Sequence, residues 1–371
     1  AGNLTRSTDA LGRNTQQTYD ALGRPRLTTQ PAATSGSPRP KIRSDFNPAG
    51  DLTRITDPRG LATTYSTTGL GDVTSVVSPD TGTSVSTFDA AGNLKTERDA
   101  RGQTTTYTYD ALNRPTRAQY GDGSATSFFY DEGGGPSIGQ LTRIVDPGVT
   151  SSFTYDLHGR VLTRTQAVLS GTTPLTQTLT HRYTPSTGQR NQTTYPSGRV
   201  LALTYSPSTK QVQSVTFDGT VVAGNVAWHA LSSIPKRLRL ANGQNWTSTV
   251  DLEGRIKSYA LGGTTVSLTW DSANRLTQVS NGTASENQTF AYDGLDRLTS
   301  FTSGARSQSF TYDLSGNVTS KFDRVGANPG QTDTFTIAPT SNRMTQIANL
   351  GIGFGFDAAG NRTTTPSITH S

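Results

Sequence analysis

The feature that most constrains this chain is a short motif, Asp followed three residues later by Gly or Asn, which recurs along nearly the whole sequence. In residues 88–114 its aspartates are Asp89, Asp99 and Asp110, ten and eleven residues apart. A β-strand with its turn occupies about ten residues. The spacing therefore predicts one antiparallel β-hairpin after another. Roughly thirty strands at about 4.8 Å would make a sheet that its own twist must coil.

The residue types in the motif are those that a tight hairpin turn requires. The Asp carboxylate can accept hydrogen bonds from backbone N–H groups just ahead of it. The Gly three residues later suits a positive φ, which predicts a type I turn closed by a bulge. Where Gly is absent the position holds Asn113, Asn274 or Asp296, which tolerate left-handed backbone best after Gly. A catalytic carboxylate would not recur at about a dozen sites, so these aspartates are predicted to be turn formers.

Aromatic residues precede many of these turns with a period of two. Residues two apart on a strand share a face, so each pair is predicted to lie on one side of the sheet. The pattern favours packing of the rings along that side, and a stripe that binds sugars or bases is the alternative. The pairs are Tyr107 and Tyr109, Phe153 and Tyr155, Leu268 and Trp270, Phe290 and Tyr292, Phe310 and Tyr312, and Phe354 and Phe356.

The composition favours an open sheet over a globular core. Hydrophobic residues make up 31% of the 371 residues, and the mean hydropathy is −0.51. A net charge of only +6 and the strand register of the aromatic residues argue against disorder. A sheet that is wetted on one face needs fewer apolar residues.

The basic pI, about 9.5, raises the question of nucleic acid as a partner. Many arginines occupy one slot just after the turn, which disperses charge along the array, whereas a nucleic-acid site needs a patch. The sequence therefore predicts no nucleic-acid partner, and the basic run Pro235–Arg239 is too short to change this. The arginines in that slot are Arg13, Arg24, Arg114, Arg160, Arg255, Arg275 and Arg297.

The repeat predicts a single continuous array over residues 1–371, with inserted loops near 31–41, 131–139 and 324–332. Residues 226–243 depart most from the motif. No apolar stretch is long enough to predict a membrane span, and there is no cysteine for a disulfide. Both ends cut through the repeat, which predicts that the sequence is a piece of a longer protein.

Residues for catalysis, cofactor binding or metal binding are not predicted anywhere in the chain. The histidines lie far apart and share no metal-ligand spacing, and the nucleophile motif Gly-x-Ser-x-Gly does not occur. The alternating glycines of residues 351–355 precede no helix, so they favour a smooth strand over a phosphate loop. The prediction is therefore a protein without enzyme activity. The four histidines are His158, His181, His229 and His370.

The combination of Tyr-Asp with x-x-Gly-Arg/Asn-Leu at a step of about 21 residues resembles the YD-repeat, or Rhs-repeat, family. That family includes bacterial polymorphic toxins, the BC components of insecticidal toxin complexes, and teneurins. The resemblance implies a β-sheet that spirals into a hollow shell around a polypeptide. Asp57–Leu61 has the residue types of the family's Asp-Pro-x-Gly-Leu string, but it lies in ordinary repeat register, where Pro is normal. The copies include Tyr19-Asp20, Phe88-Asp89, Tyr109-Asp110, Tyr155-Asp156, Trp270-Asp271, Tyr292-Asp293 and Tyr312-Asp313.

By this resemblance, the chain is expected to be a non-catalytic segment of a shell that encloses and helps deliver a C-terminal toxin or effector. The implied partner is that polypeptide, in the same or an associated chain, together with secretion machinery. The implied location is secreted or on the cell surface, in a bacterium. An extracellular adhesion or carbohydrate-binding array, with a glycan as partner, is the alternative, and a purely structural stalk is a third option.

Overall fold

The fold is all-β. In the computed structural model, which describes residues 2–170, 173–230 and 232–364, the described residues form 32 strands and three 3₁₀ helices. Two compact units contain them. Unit 1 combines Ala1–Thr104 with Ser267–Ser371, and unit 2 is Thr105–Val266.

The strands of unit 1 come from both ends of the chain. From the N-terminal part they are β1 Arg6–Thr8, β2 Asn14–Tyr19, β3 Pro25–Thr29, β4 Lys41–Phe46, β5 Leu52–Thr56, β6 Ala62–Thr67, β7 Val73–Ser78, β8 Gly82–Phe88 and β9 Leu94–Arg98. From the C-terminal part they are β25 Leu276–Ser280, β26 Gln288–Tyr292, β27 Leu298–Ser303, β28 Arg306–Tyr312, β29 Val318–Val325, β30 Gln331–Ile337, β31 Met344–Ile347 and β32 Ile352–Gly353.

The strands of unit 2 follow each other without interruption. They are β11 Pro115–Gln119, β12 Ala125–Tyr130, β13 Leu141–Asp146, β14 Val149–Tyr155, β15 Val161–Ser170, β16 Thr173–Tyr183, β17 Arg190–Thr194, β18 Val200–Tyr205, β19 Val212–Phe217, β20 Thr220–Trp228, β21 Pro235–Leu240, β22 Asn245–Val250 and β23 Ile256–Leu261. Two strands lie at the unit boundaries, namely β10 Thr104–Tyr109, which pairs with β11, and β24 Thr264–Trp270, which pairs with β25. The 3₁₀ helices are Gly135–Ser137, Ala284–Glu286 and Ala348–Leu350.

Within each unit, strands that are adjacent in the chain pair antiparallel, which confirms the predicted hairpin repeat. The register shifts by one residue where an aromatic residue precedes a turn. In the β8–β9 hairpin, Thr87 pairs with Thr96 and then Phe88 with Leu94. An extra residue on one strand is the bulge that the turn motif predicts.

The two faces of the strands differ in chemistry. Tyr107 pairs with Ala118, and this side, the aromatic face, also holds the rings that precede the turns. The other side, the threonine face, carries cross-strand hydroxyl pairs such as Thr87 with Thr96 at 2.6 Å and Thr154 with Thr163 at 2.7 Å. Among the described residues, the buried hydrophobic side chains are those of Ala118 and Pro40 alone. Such sparse burial is what an uncovered single layer of strands produces.

The alternating glycines near the C-terminus form less strand than the sequence predicts. Only Ile352 and Gly353 belong to β32, and Gly351 has a φ of 65° directly after the last 3₁₀ helix. The left-handed residue bends the chain into a tight hairpin with β31, so the prediction of a smooth strand through residues 351–355 was wrong in its extent. In the described ranges, no helix has the length and apolar character that a membrane span requires.

Candidate functional site

The repeated turns are the most distinctive chemical feature of the fold, and their backbone geometry confirms the prediction. In the Asp89 turn, the Gly92 N–H donates to the Asp89 carbonyl at 3.1 Å, and the Asp89 N–H donates to the Asn93 carbonyl at 2.9 Å. Gly92 has a φ of 83°. The residues that replace Gly have the same handedness, with φ values of 60° for Asn113 and 64° for Asn274 and Asp296.

The Asp carboxylate fixes the turn and the Arg that follows it. Asp156 Oδ1 accepts the His158 N–H at 2.9 Å and the Arg160 N–H at 3.0 Å, and Oδ2 accepts Arg160 Nε at 2.7 Å. The hydrogen bond from the Arg160 side chain lowers the pKa of Asp156 to about 2. The carboxylate is therefore ionised and fully engaged, as a turn former should be. The same contacts occur at Asp20, Asp110, Asp251, Asp271 and Asp293.

The Arg of one turn reaches the next turn along the same edge of the sheet. The Arg297 guanidinium lies 4.6 Å from the centre of the Tyr312 ring, and its Nη1 donates to the Asp313 carbonyl at 2.8 Å. A cation held over an aromatic ring in this way adds of order 1 kcal/mol per contact. Each Arg therefore ties two repeats together. The equivalent pairs are Arg24 with Phe46, Arg114 with Tyr130, Arg160 with Tyr183 and Arg275 with Tyr292.

The Tyr of the motif connects neighbouring strands through a hydrogen bond from its hydroxyl. Tyr312 donates to the Leu298 carbonyl at 2.7 Å, which connects its strand to the start of the preceding one. The rings therefore contact arginines and carbonyls as well as each other, whereas the sequence predicts ring packing alone. Phe290 and Phe301, 5.4 Å apart, are one pair that does pack ring to ring. The same hydroxyl bond occurs at Tyr19, Tyr130, Tyr155, Tyr183, Tyr205 and Tyr292.

Turns from the two ends of the chain meet within unit 1, and we call this contact the seam. Arg13 Nη1 lies 2.6 Å from the Asp296 carboxylate, and Arg101 Nη1 lies 3.7 Å from that of Asp357. The Gly294 N–H donates to the Ala33 carbonyl at 2.7 Å. Turns of residues 2–104 thus dock on turns of residues 267–364, more than 250 positions away in the chain. Nothing in the sequence motif indicates this pairing.

The centre of the seam is Asn342. Its backbone N–H donates to Asp80 at 2.6 Å, and its amide nitrogen donates to Asp57 Oδ2 at 3.0 Å. Arg59 donates to the carbonyls of Ala338 and Ser341, each at 2.7 Å. Burial raises the pKa of Asp57, but hydrogen bonds from Asn342 and its other donors outweigh burial and lower it overall. A carboxylate held ionised in this way joins turns, whereas the sequence predicts only an ordinary repeat turn for the Asp57 string.

No cluster of His, Asp or Glu with metal-ligand character occurs among the described residues. His181 contacts Thr193 at 3.1 Å, His229 contacts the Ser248 carbonyl at 3.1 Å, and His158 lies within the Asp156 turn. The structure brings none of these three histidines together. His370 lies outside the described residues. The absence of catalytic, cofactor and metal residues stays a prediction.

Comparisons with known proteins agree with this geometry. The family model for the RHS repeat matches residues 1–35, 88–125 and 137–168. The solved structures similar to the chain include the Photorhabdus luminescens Tc holotoxin pore, with a TM-score of 0.83 and 17% identity, over 96% of this chain and 21% of that one. The TcdB2-TccC3 structure has a TM-score of 0.82 and 17% identity, over 95% of this chain and 22% of that one.

A third structure, TcdB2-TccC3-Cdc42, has a TM-score of 0.80 and 17% identity, over 95% of this chain and 21% of that one. At these identities the likeness concerns the fold. The chain spans about a fifth of the length of the solved chains that it matches. No curated protein sequence matches it.

Proposed function

Because this chain carries RHS repeats in the fold of the Tc toxin structures, we propose that it is a non-catalytic segment of a shell wall. The shell would enclose a toxin or effector polypeptide, made at the C-terminus of the same protein or by an associated chain, and would help to deliver it. The partner class comes from the solved structures, which are toxin complexes. Delivery would take the protein outside the bacterium that makes it, or to its surface.

The seam is the observation that carries this proposal. A sheet of hairpins grows in one direction only, by adding strands. At the seam, the turns of one stretch of sheet dock on the turns of another through Arg13, Arg59 and Asn342. Rows of turns that dock on each other extend the layer in a second direction, along the strands. A layer that is continuous in both directions is a wall, and a wall is what containment requires.

The side chains that a ligand-binding array would display have structural partners here. The motif tyrosines donate to backbone carbonyls, and their rings lie under arginines of neighbouring turns. The motif aspartates accept backbone N–H groups and an Arg. These contacts favour the wall over a carbohydrate-binding array or an enzyme, and we propose neither cofactor nor catalysis.

The test uses the natural full-length protein that contains this chain, treated with proteinase K under native conditions. We expect its C-terminal polypeptide to survive at protease concentrations that digest the same polypeptide produced alone. The double variant Arg13→Ala/Arg59→Ala opens the seam and should expose the enclosed polypeptide to digestion. Arg54→Ala, at an exposed strand position away from the seam, is the control and should leave protection intact.

Digestion of the C-terminal polypeptide at the same rate in the full-length protein and alone would overturn the proposal. Binding of glycans by the chain, together with that result, would support the adhesion array in its place.

A further inference from the structure

The positive charge of the chain is concentrated in unit 2. Residues 105–266 hold 14 Lys and Arg against 9 Asp and Glu, a net charge of +5, while the rest of the chain holds 19 against 18, a net charge of +1. Residues 161–250 are the source of the difference, because they hold eight Lys and Arg and a single acid, Asp218. Acidic residues nearly balance the positive charge in the rest of the chain, but they do not balance it in residues 161–250.

The turns of this stretch lack the acid of the motif. In this stretch the position of the turn Asp is occupied by Thr184, Tyr195, Ser206, His229 and Leu240. The slot after the turn keeps its Arg only at Arg199, because the other four turns end at Gln189, Gln211, Ile234 and Gln244. Most of the unbalanced cations therefore lie on the strands, where no turn acid is near in the sequence. The one acid, Asp218, accepts Arg199 Nε at 2.8 Å and so does not neutralise the other cations.

Strand β20 bends beside two of these cations. Gly224 pairs with Arg239 and Ala227 with Arg237, so two residues of β20 face one residue of β21 between those pairs. Asn225, in this bulge, has a φ of 54°. β20 also skips a residue against β19, between Val215 and Thr216. Bulges re-aim side chains and are over-represented near functional sites.

Two concavities lie at this bulge, with volumes of about 580 and 500 Å³. They share Gln213, Asn225 and Arg239, and the second also includes Arg237. We call this region the bulge groove. Its lining combines leucines, valines, alanines and glycines with amides, hydroxyls and the two guanidinium groups. Polar donors around an arginine pair are suited to an anionic, hydrogen-bonding ligand.

Arg237 and Arg239 are exposed, and neither has an ion pair or side-chain hydrogen bond within the described ranges. They alternate with Leu238, which pairs with Trp246, so that ring lies on the opposite face of the sheet. The groove therefore offers two cations without an aromatic platform on which a nucleic-acid base could stack.

We propose that the bulge groove binds an acidic segment of an extended polypeptide, with the carboxylates of alternate residues paired to Arg237 and Arg239. Residues two apart on a strand are about 7 Å apart, and an extended peptide places its alternate side chains at the same interval. Guanidinium groups bind carboxylates bidentately, which gives the pairing its geometry. The amides of Asn225 and Gln213 are placed to bind the peptide backbone. This site does not depend on the shell function.

The test measures binding of a fluorescent peptide in which Glu alternates with Thr, by anisotropy with the full chain. We expect Arg237→Gln/Arg239→Gln to weaken binding by about tenfold or more. Lys236→Gln, on the same strand but the opposite face, should change the dissociation constant by less than about twofold. The unit 1 pair Arg54→Gln/Arg98→Gln removes the same charge from exposed strand positions and should have an equally small effect. A peptide with Gln in place of Glu should not bind.

The conservative variant Arg237→Lys/Arg239→Lys separates a folding defect from a binding defect, because it keeps the charge and should retain part of the affinity. Equal losses in the groove variant and in the unit 1 control would overturn the proposal, since binding would then follow net charge alone. Tighter binding of a single-stranded oligonucleotide than of the Glu peptide would also overturn it and would identify a nucleic-acid site.

Discussion

The turns at residues 293–297 and 195–199 have the same backbone but different side chains. In both, the first residue donates its N–H to the carbonyl of the fifth, at 3.0 Å from Asp293 and 2.8 Å from Tyr195. The fourth residue also donates to the carbonyl of the first in both turns. The hairpin therefore forms without Asp, provided that the fourth residue adopts a positive φ, as Asp296 and Gly198 do.

The difference lies in what each turn does to its neighbours. Asp293 orients Arg297, which then reaches Tyr312 and the Asp313 carbonyl of the next repeat. Without an acid of its own, Arg199 binds the acid of a later turn, Asp218. Arg199 also lies 4.1 Å from the centre of the Phe217 ring, so the Arg links one turn to the next with or without an Asp. The Gly or Asn of the motif thus sets the turn, whereas the Asp orients the Arg and balances its charge. Where the Asp is lost, the sheet persists but becomes basic, as in residues 161–250.

Acid should produce the largest difference in stability between turns with Asp and turns without it, because many turn carboxylates become protonated together. The backbone N–H of Asn93 lowers the pKa of Asp89, and that of Arg114 lowers the pKa of Asp110. An unfolded Asp titrates near 3.9. The unfolded chain therefore binds more protons than the folded chain just below that pH, and stability falls as the pH drops from about 4 toward about 2. Peptic digestion followed by mass spectrometry should release peptides of residues 88–114 before those of residues 184–244.

Thermolysin at neutral pH provides the control, since the carboxylates are ionised there and the order of release should no longer favour residues 88–114. Earlier release of residues 184–244 at pH 3 would show that the Asp contacts do not hold the turns together.

Loss of a buried turn carboxylate should have the next largest effect. The Asp293 side chain is only 3% exposed, and it accepts the Leu295 N–H at 2.8 Å and the Arg297 N–H at 3.0 Å. Asp293→Ala leaves these donors and Arg297 Nε without their acceptor. We expect the free energy of unfolding, measured by urea titration, to fall by about 3 kcal/mol.

Asp9→Ala is the matched control, because Asp9 makes the same three contacts in a turn where its side chain is 37% exposed. Water can replace the lost acceptor there, so the loss of stability should be clearly smaller. Equal losses at the two turns would mean that burial does not determine the strength of the Asp contact.

The local structure could be predicted from the sequence, because each turn is determined by residues within five positions of one another. The positive φ values of Gly92 and Asn113 follow from residue type alone, and so does the bulge after each aromatic residue. The seam could not be predicted in this way. The contact of Asp57 with Asn342 depends on how the twist of many intervening strands accumulates, and no short motif records that sum.

The bulge groove also could not be predicted from the repeat motif. Residues 226–243 stand out in the sequence only as a departure from the repeat. The register at Asn225 depends on how β20 pairs with two neighbours at once, and a residue that faces two strands cannot be assigned from its own strand pattern. In contrast, the sequence does contain an indication of the stacking of Arg on the next aromatic ring, namely the Arg that recurs just after the turn.

Replacing a turn glycine should have the smallest effect on the free energy of unfolding, and the effect should be the same in turns with and without Asp. Gly92 has a φ of 83° and Gly198 a φ of 82°, and a Cβ at either position meets no atom within 4 Å. Alanine at each should cost about 1 kcal/mol of unfolding free energy, solely because the left-handed backbone disfavours a Cβ. Asparagine at each should cost less, because it tolerates that conformation. A larger loss for Gly92→Ala than for Gly198→Ala would mean that the Asp89 carboxylate, and not the dihedral angle alone, makes the turn intolerant of alanine.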